Sequence, residues 1–246
     1  MAGISEKGLC ALKISKWCQE KWSRMRQFGL LAALKLKVLA AVRPVLEIER
    51  ELVMVIPNHQ PTPICYPKIR PMTYEDVENI AKRGELSESQ RAALYNFLDD
   101  GCLGFFAEID GCPAGYGFVQ TSGVYNFGRA GCLHIPEGMM VLKNLFVFQD
   151  FRGQSLGKKL IQACIASIPA GQTPTAFVMP ENRVNIRNLK MFGFQEILAV
   201  RRTAWFKSRT RQTVEVLGDE DTSRKLIARL CWAWPSNRRC CVPPGS

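Results

Sequence analysis

The amino-acid sequence predicts an α/β (α+β) fold, with strands and amphipathic helices alternating along the middle of the 246-residue chain. An apolar run rich in β-branched and aromatic residues, from Val141 to Phe148, is typical of a buried strand. A polar turn with two glycines follows it, and apolar residues then recur with helical spacing. Since 47% of the residues are hydrophobic, the chain can bury one sizeable core. We therefore expect one globular domain with extensions.

The helix after this turn is expected to begin at Leu156. Its apolar face would carry Leu156, Leu160, Ile161, Cys164, Ile165 and Ile168. A strand, a glycine-containing turn and a helix start present unpaired backbone N–H groups at the positive end of a helix, where phosphate binds. Two glycines allow a ligand to approach the backbone, and three basic side chains add positive charge. These residues are Gly153, Gly157, Arg152, Lys158 and Lys159. Residues 152–158 are predicted to cradle a pyrophosphate, with an ordinary tight connection as the alternative.

The sequence argues against several other kinds of site. It contains no G-x-x-x-x-G-K-[ST] loop, and no G-x-G-x-x-G with an acidic residue about twenty positions later. The ten cysteines lie mostly singly, without a C-x-x-C or Cys/His cluster, which disfavours both a zinc site and a disulfide framework. No secretory signal is visible. We expect free thiols in a reducing cytoplasm.

The strand, turn and helix resemble motif A of the GCN5-related N-acetyltransferase (GNAT) superfamily, a strand followed by [QR]-x-x-G-x-[GA]. The matching residues are Arg152-Gly153-Gln154-Ser155-Leu156-Gly157. Ser155 stands where the middle glycine is usual, but serine is small and keeps its N–H group. A second family signature is an Asn eleven residues before the glycine of a K-x-G-F ending. After a predicted strand from Thr173 to Met179, the residues that fit are Asn182, Lys190, Gly193 and Phe194, with Met191-Phe192 between.

The resemblance extends upstream of these motifs. Ile69-Arg70-Pro71 looks like the first strand of the family, and Thr73 with Asp76 looks like the cap of its first helix. Gly104 to Gln120 looks like the second and third strands, turned at Asp110-Gly111. The resemblance covers roughly residues 67–202. It implies a mixed, mostly antiparallel sheet flanked by helices.

The activity that the resemblance implies is N-acyl transfer, and in particular N-acetyl transfer, from acetyl-CoA or another acyl-CoA without a metal. In the family, an amine attacks the thioester directly, which requires an oxyanion stabiliser and proton transfers. The pantetheine arm is expected along the strand, with a backbone N–H near Leu145 polarising the thioester carbonyl, and the diphosphate on the turn. The implied donor-binding residues are Leu145, Phe146, Val147, Arg152, Gly153, Gln154, Ser155, Leu156, Gly157, Lys158 and Asn182.

The resemblance leaves the proton-transfer groups open. In many relatives a tyrosine four residues before the glycine of the G-F ending protonates the thiolate, and here this position is Leu189. A carboxylate often supplied by the fourth strand is replaced by Lys143 and Asn144. The substitutes considered are Glu137, His134 and Tyr125, followed by Glu108 and Tyr116. Ordinary surface positions are the alternative for Glu137 and His134. Because a thiol has a pKa of about 8.5, the CoA thiolate can leave without an enzymic acid.

Two functions remain open from the sequence. The first is N-acyl transfer to a small-molecule or peptide amine, with an acyl carrier protein as an alternative donor because its acidic surface would suit the basic chain ends. The second is a catalytically weak or inactive GNAT-like module that acts on a membrane or protein partner. The intact cradle favours the first function, whereas Leu189 and Asn144 favour the second.

The charge is distributed unevenly along the chain. The net charge of +11 consists of +7 over residues 1–44, −2 over residues 45–199 and +6 over residues 200–246. We predict a basic helical extension over residues 1–60, a GNAT-like domain over 67–217, and a C-terminal helix with an irregular tail over 218–246.

The N-terminal extension has three interpretations. Residues 9–42 combine basic residues, Trp17, Trp22 and a Leu-rich stretch, as does a helix that lies on an anionic bilayer. Packing on the domain or on a second subunit fits equally well, and a targeting peptide fits less well. For the basic C-terminal residues, a charged edge strand is favoured over nucleic-acid binding. We expect a cytoplasmic protein, with peripheral membrane contact through residues 9–42 as the alternative.

Overall fold

The computed structural model describes residues 46–61, 68–84, 86–126, 132–205 and 209–231, together with residues 38 and 66. The strands in these ranges are β1 (Leu46–Val55), β2 (Ile69–Pro71), β3 (Leu103–Ile109), β4 (Cys112–Gln120), β5 (Val124–Asn126), β6 (Cys132–His134), β7 (Met139–Val147), β8 (Thr173–Val178), β9 (Gln195–Trp205), β10 (Arg209–Val216) and β11 (Leu230–Cys231). The helices are α1 (Tyr74–Lys82), α2 (Glu88–Asp99), α3 (Leu156–Ala166), α4 (Arg183–Met191) and α5 (Glu220–Arg229), and a 3-10 turn spans Gln149–Phe151.

Eight strands form one sheet in the order β10-β9-β1-β8-β7-β4-β3-β2. Its neighbouring strands are antiparallel, except that β7 and β8 run parallel. Helices α3 and α4 cover one face, where Ile161 and Leu189 pack against Met54. Helices α1 and α2, with the small sheet β11-β6-β5 and α5, cover the other face. The predicted mixed, mostly antiparallel sheet flanked by helices is confirmed.

Strand β1 corrects the predicted organisation of the N-terminal part. Residues 46–55 fall within the helical extension predicted over residues 1–60, yet they form a strand paired with β8 on one side and β9 on the other. Val53, Met54 and Val55 are at most 1% exposed, because both faces of this interior strand are covered. The apolar run at residues 52–55 is so short that periodicity alone does not distinguish a buried strand from a helix.

The local signals around the central motifs are confirmed. Thr73 and Asp76 form a capping box at the start of α1, and Asp110-Gly111 turns β3 into β4 with positive φ at both residues. Gly193 follows α4 with φ +88°, the left-handed conformation that glycine adopts without a steric cost. Helix α3 begins at Leu156, as predicted.

The C-terminal helix is part of the packed domain. It spans Glu220–Arg229, and Leu226 and Leu230 are buried against Leu133 of the small sheet. Apart from residue 38, residues 9–42 lie outside the described residues, and so does the irregular tail from residue 235. Among the described helices, none is both long and apolar enough to cross a bilayer. Four cysteines are seen as free thiols: Cys102, Cys112, Cys132 and Cys164.

Candidate functional site

The parallel strands β7 and β8 separate in the middle of the sheet. Their ladder runs from Met139 beside Thr173 only as far as Leu142 beside Ala176. Strand β7 continues to Val147, where it is paired with β4 alone. The backbone of residues 143–147 is therefore open towards β8, which leaves a gap that a ligand chain can enter.

A β-bulge lies where the gap begins. Tyr116 is opposite Phe146 and Phe118 is opposite Lys143, so two residues of β7 face the single residue Gly117. One of the two, Asn144, has φ +51°. A bulge of this kind redirects the local backbone groups, and here it does so next to Leu145, the residue predicted to polarise a thioester carbonyl.

The turn after β7 has the backbone geometry of an anion site. Gly153 has φ +83° and Ser155, at the N-terminus of α3, has φ +60°. The N–H of Arg152 donates to Gln149 O at 3.2 Å and that of Lys158 to Ser155 O at 3.1 Å. Within the described part of the chain, the N–H groups of residues 153–157 have no protein acceptor. This local geometry is the one that the predicted cradle requires, and phosphate binding at these residues stays a prediction.

The charge beside this turn is positioned by β7 itself. The Nε of Arg152 donates to Val147 O at 3.0 Å, and its guanidinium carbon lies 5.8 Å from the centre of the Phe146 ring. A Cβ added to Gly157 would lie 3.7 Å from Val147 Cγ2. The end of β7, the turn and the start of α3 therefore form one continuous surface that combines open backbone N–H groups with positive charge.

The three candidate proton-transfer residues Tyr125, Glu137 and His134 lie at different distances from the gap between β7 and β8. Tyr125 of β5 stacks on Phe177 of β8, with ring centres 4.6 Å apart, and burial, followed by the charge of Glu51, raises the pKa of its phenol. Glu137 is exposed and precedes β7 at the end remote from the bulge. His134 ends β6 and pairs with Val124. The structure therefore brings Tyr125, but not Glu137, towards the separated strands.

The second signature has structural roles in this chain. Leu189 of α4 is 1% exposed, and its side chain packs in the core between this helix and the sheet. Asn182 caps α4, since its Oδ1 accepts the N–H of Asn185 at 3.2 Å.

The two remaining proton-transfer candidates are Glu108 and Tyr116. The Glu108 side chain, on β3, is 44% exposed and lies 3.8 Å from Arg70. Burial raises the pKa of Tyr116 to about 12. The described residues bring no three His, Cys, Asp or Glu side chains together as a metal site.

Two ionisable residues near the gap were not predicted. Lys143 lies with its Nζ 2.9 Å from Gln120 Oε1 and 3.9 Å from the centre of the Phe97 ring, and burial lowers its pKa. Glu51 of β1 has its pKa raised to about 8 by burial and by the charges of Glu49 and Glu181. The available signals for β1 in LEIERELVMV were the alternation of apolar and charged residues at its start and the apolar run at its end.

Residues 70–194 match the family model described as the acetyltransferase (GNAT) family. A crystal structure of an acetyltransferase assigned to the GNAT family from Novosphingobium aromaticivorans is similar over 65% of this chain and 64% of that chain, with 18% identity and a TM-score of 0.50. An aminoglycoside N-acetyltransferase in complex with CoA shares 24% identity over 52% of this chain and 91% of that one, with a TM-score of 0.40.

A ribosomal-protein-alanine N-acetyltransferase from Brucella melitensis shares 20% identity over 61% of this chain and 99% of that chain, with a TM-score of 0.39. The chain spans 64% of the length of the Novosphingobium acetyltransferase and 58% of the length of a similar Drosophila protein of known structure. No curated protein matches the sequence. At these identities the similarity concerns the fold.

Proposed function

The chain belongs to the acetyltransferase (GNAT) family, and on that basis we propose that it transfers an acyl group from a CoA thioester, acetyl-CoA in the simplest case, to an amine. The observation that carries this proposal is the sequence of features along β7. The strand separates from β8 after Leu142, bulges at Asn144, and leads into the turn with open N–H groups at residues 153–157.

The donor would lie along these features in one direction. Its diphosphate would accept hydrogen bonds from the N–H groups of residues 153–157, at the positive end of α3. Its pantetheine arm would take the place that β8 leaves open beside Leu145, Phe146 and Val147. A backbone N–H near Leu145 would then stabilise the oxyanion as the amine adds to the thioester carbonyl. Because Leu189 is a core residue, the thiolate would leave without a side chain at that position to protonate it.

Binding of acetyl-CoA to the purified protein tests the proposal. Calorimetry and thermal unfolding should show one site, and a hundredfold excess of ligand over Kd should stabilise the fold by about 2.7 kcal/mol. Gly157→Glu should abolish binding while the protein stays folded, because the new carboxylate would repel the diphosphate. Ala170→Glu adds the same charge at an exposed position beyond the other end of α3 and should bind normally. Equal affinity of Gly157→Glu and wild type would remove the cradle from the mechanism.

Two further partners are proposed from the sequence. The basic chain ends, with +7 over residues 1–44 and +6 over 200–246, would attract an acyl carrier protein as an alternative donor or an anionic membrane surface. The acceptor would be a small-molecule or peptide amine. A direct test for the carrier protein compares transfer rates from acetyl-CoA and acetyl-carrier protein at rising salt, where only the second rate should fall steeply.

A further inference from the structure

We infer that the acceptor amine binds as its ammonium form beside Glu51, and that the Glu51 carboxylate removes the proton that blocks attack on the thioester. This inference rests on the proposed acyl transfer. Glu51 lies on β1, outside the residues 70–194 that match the family, so its role belongs to the part of the chain that the family resemblance does not cover.

The strand registers place Glu51 level with the bulge. In the antiparallel pair, Leu52 is beside Val178, so Glu51 lies just past the last residue of β8. In the parallel pair, Leu142 is beside Ala176, so the level of Val178 corresponds to Asn144 on β7. Glu51 and the bulge therefore flank the end of β8. At least two strand spacings, or about 10 Å, separate them, because β7 and β8 diverge at this level. An acceptor molecule with its amine, the glutamate side chain and water can fill this distance.

The Glu51 side chain lies on the same face of the sheet as Phe177 and Tyr125, and this is the face on which the acceptor would bind. Val53, two residues later, is beside Phe177, so the Glu51 side chain is on the same face as the Phe177 ring. The Tyr125 ring stacks on Phe177, and Lys143 Nζ lies 5.7 Å from the centre of the Tyr125 ring. The aromatic rings form an apolar wall beside the carboxylate, opposite the face covered by α3.

The charge around Glu51 favours a cation. Glu49 is directly opposite Arg202 in the β1–β9 ladder, whereas Glu51 is opposite the apolar residue Val200. Within the described residues, no basic side chain forms an ion pair with Glu51. The carboxylates of Glu49 and Glu181 add to the burial that raises the Glu51 pKa to about 8. A primary aliphatic ammonium would relieve this repulsion and, in the same contact, find a base of suitable strength.

The acceptor nitrogen loses two protons during the transfer. The ammonium gives one proton to the Glu51 carboxylate, and the neutral nitrogen then forms a C–N bond to the thioester carbonyl carbon. As the tetrahedral intermediate collapses, the C–S bond breaks and its electron pair leaves with sulfur. The second proton lost by nitrogen reaches the CoA thiolate, and Glu51 later returns its proton to solvent. Tyr125 and Lys143 transfer no proton in this scheme.

Calorimetry can test the binding step without turnover. Protein saturated with CoA is titrated with 1,5-diaminopentane or spermidine at pH 7, in two buffers that differ in ionisation enthalpy. Because Glu51 is mostly protonated at pH 7 when its pKa is about 8, binding of the ammonium should release close to one proton. Glu51→Gln should release none and bind at least tenfold more weakly. The control Glu215→Gln, on exposed β10, should behave as wild type.

Turnover supplies the second measurement. Thiol release from acetyl-CoA with the same amines should fall by about 10²–10⁴-fold in Glu51→Gln, and the rise of kcat/KM towards pH 8 should disappear, while CoA affinity stays unchanged. Loss of CoA binding by the wild type would refute the proposed function itself. Normal CoA binding by a wild type that binds neither amine would overturn the acceptor site, and so would a Glu51→Gln variant with unchanged proton release and pH profile.

Discussion

Gly117 of β4 and Leu145 of β7 are so close that a Cβ built on the glycine would lie 2.6 Å from Leu145 Cδ2. The absence of a side chain at Gly117 thus leaves room for the leucine of the bulge. This contact links an unremarkable position on one strand to the backbone that would polarise the thioester on the next.

We therefore expect Gly117→Ala to displace Leu145 and the bulge. Overpacking of this kind destabilises by about 1–3 kcal/mol, and acyl transfer should fall more than CoA binding does. Chemical denaturation and steady-state kinetics measure the two effects. The double variant Gly117→Ala/Leu145→Ala lacks the leucine methyl groups that clash with the new Cβ. Gly117→Ala should therefore lower the transfer rate less in the Leu145→Ala background than in the wild type. An additive double variant would show that the two residues do not interact.

Leu189→Tyr should destabilise the protein without supplying the missing acid. Leu189 is 1% exposed in the core beneath α4, so a tyrosine there requires displaced neighbours and a partner for its buried hydroxyl. We expect a loss of at least about 2 kcal/mol and no gain in kcat. Leu189→Met conserves volume and should cost less than about 1.5 kcal/mol. Higher activity at unchanged stability in the tyrosine variant would contradict this interpretation.

Stability should depend on pH through Glu51. Its pKa is about 8 in the folded protein, against an ordinary value of 4.5, so the folded state holds the extra proton between these values. The free energy of unfolding should therefore fall as pH rises from about 4.5 to 8, at up to about 1.4 kcal/mol per pH unit, and level off above pH 8. Glu51→Gln should lack this decline and be the more stable protein at pH 8. Parallel urea titrations of both proteins at several pH values measure it, and equal slopes would exclude the high pKa.

The boundary of the N-terminal segment can be tested by two truncations. Full-length protein should sediment with anionic vesicles and be released by salt, whereas a protein lacking residues 1–44 should stay in solution and keep its CoA affinity. Removing residues 1–60 also deletes β1 and exposes the edges of β8 and β9, so this protein should aggregate. Insolubility of the shorter truncation would show that the segment packs on the domain and does not serve a membrane.

Several elements between residues 67 and 202 could be predicted because each of them has a local signal. The cap at Thr73, the turn at Asp110-Gly111 and the glycine after α4 act through nearby backbone groups, and all three are present. Strand β1 had only a weak local signal, the alternation of apolar and charged residues at positions 46–49. Its place in the sheet depends on pairing with β8 and β9, residues far away in the sequence that no local pattern identifies.

The candidate site divides in the same way. The backbone cradle follows from one short segment, and Gly153 and Ser155 adopt the required positive φ values. The acceptor side combines Glu51, Tyr125 and Phe177 from three distant strands, and the high pKa of Glu51 results from burial that only the assembled sheet provides. Glu137, which was chosen because it is close to β7 in sequence, lies at the end of that strand remote from the bulge.

The position of β1 has a consequence for how the protein is made. Residues 46–55 leave the ribosome long before their partners at residues 173–178 and 195–205, and contacts between such distant segments slow folding. The nascent chain must therefore carry β1 with its apolar residues 52–55 unpaired until these partners have been made, a state that invites chaperone binding. Only after residues 173–205 have been translated can β1 take its place between β8 and β9.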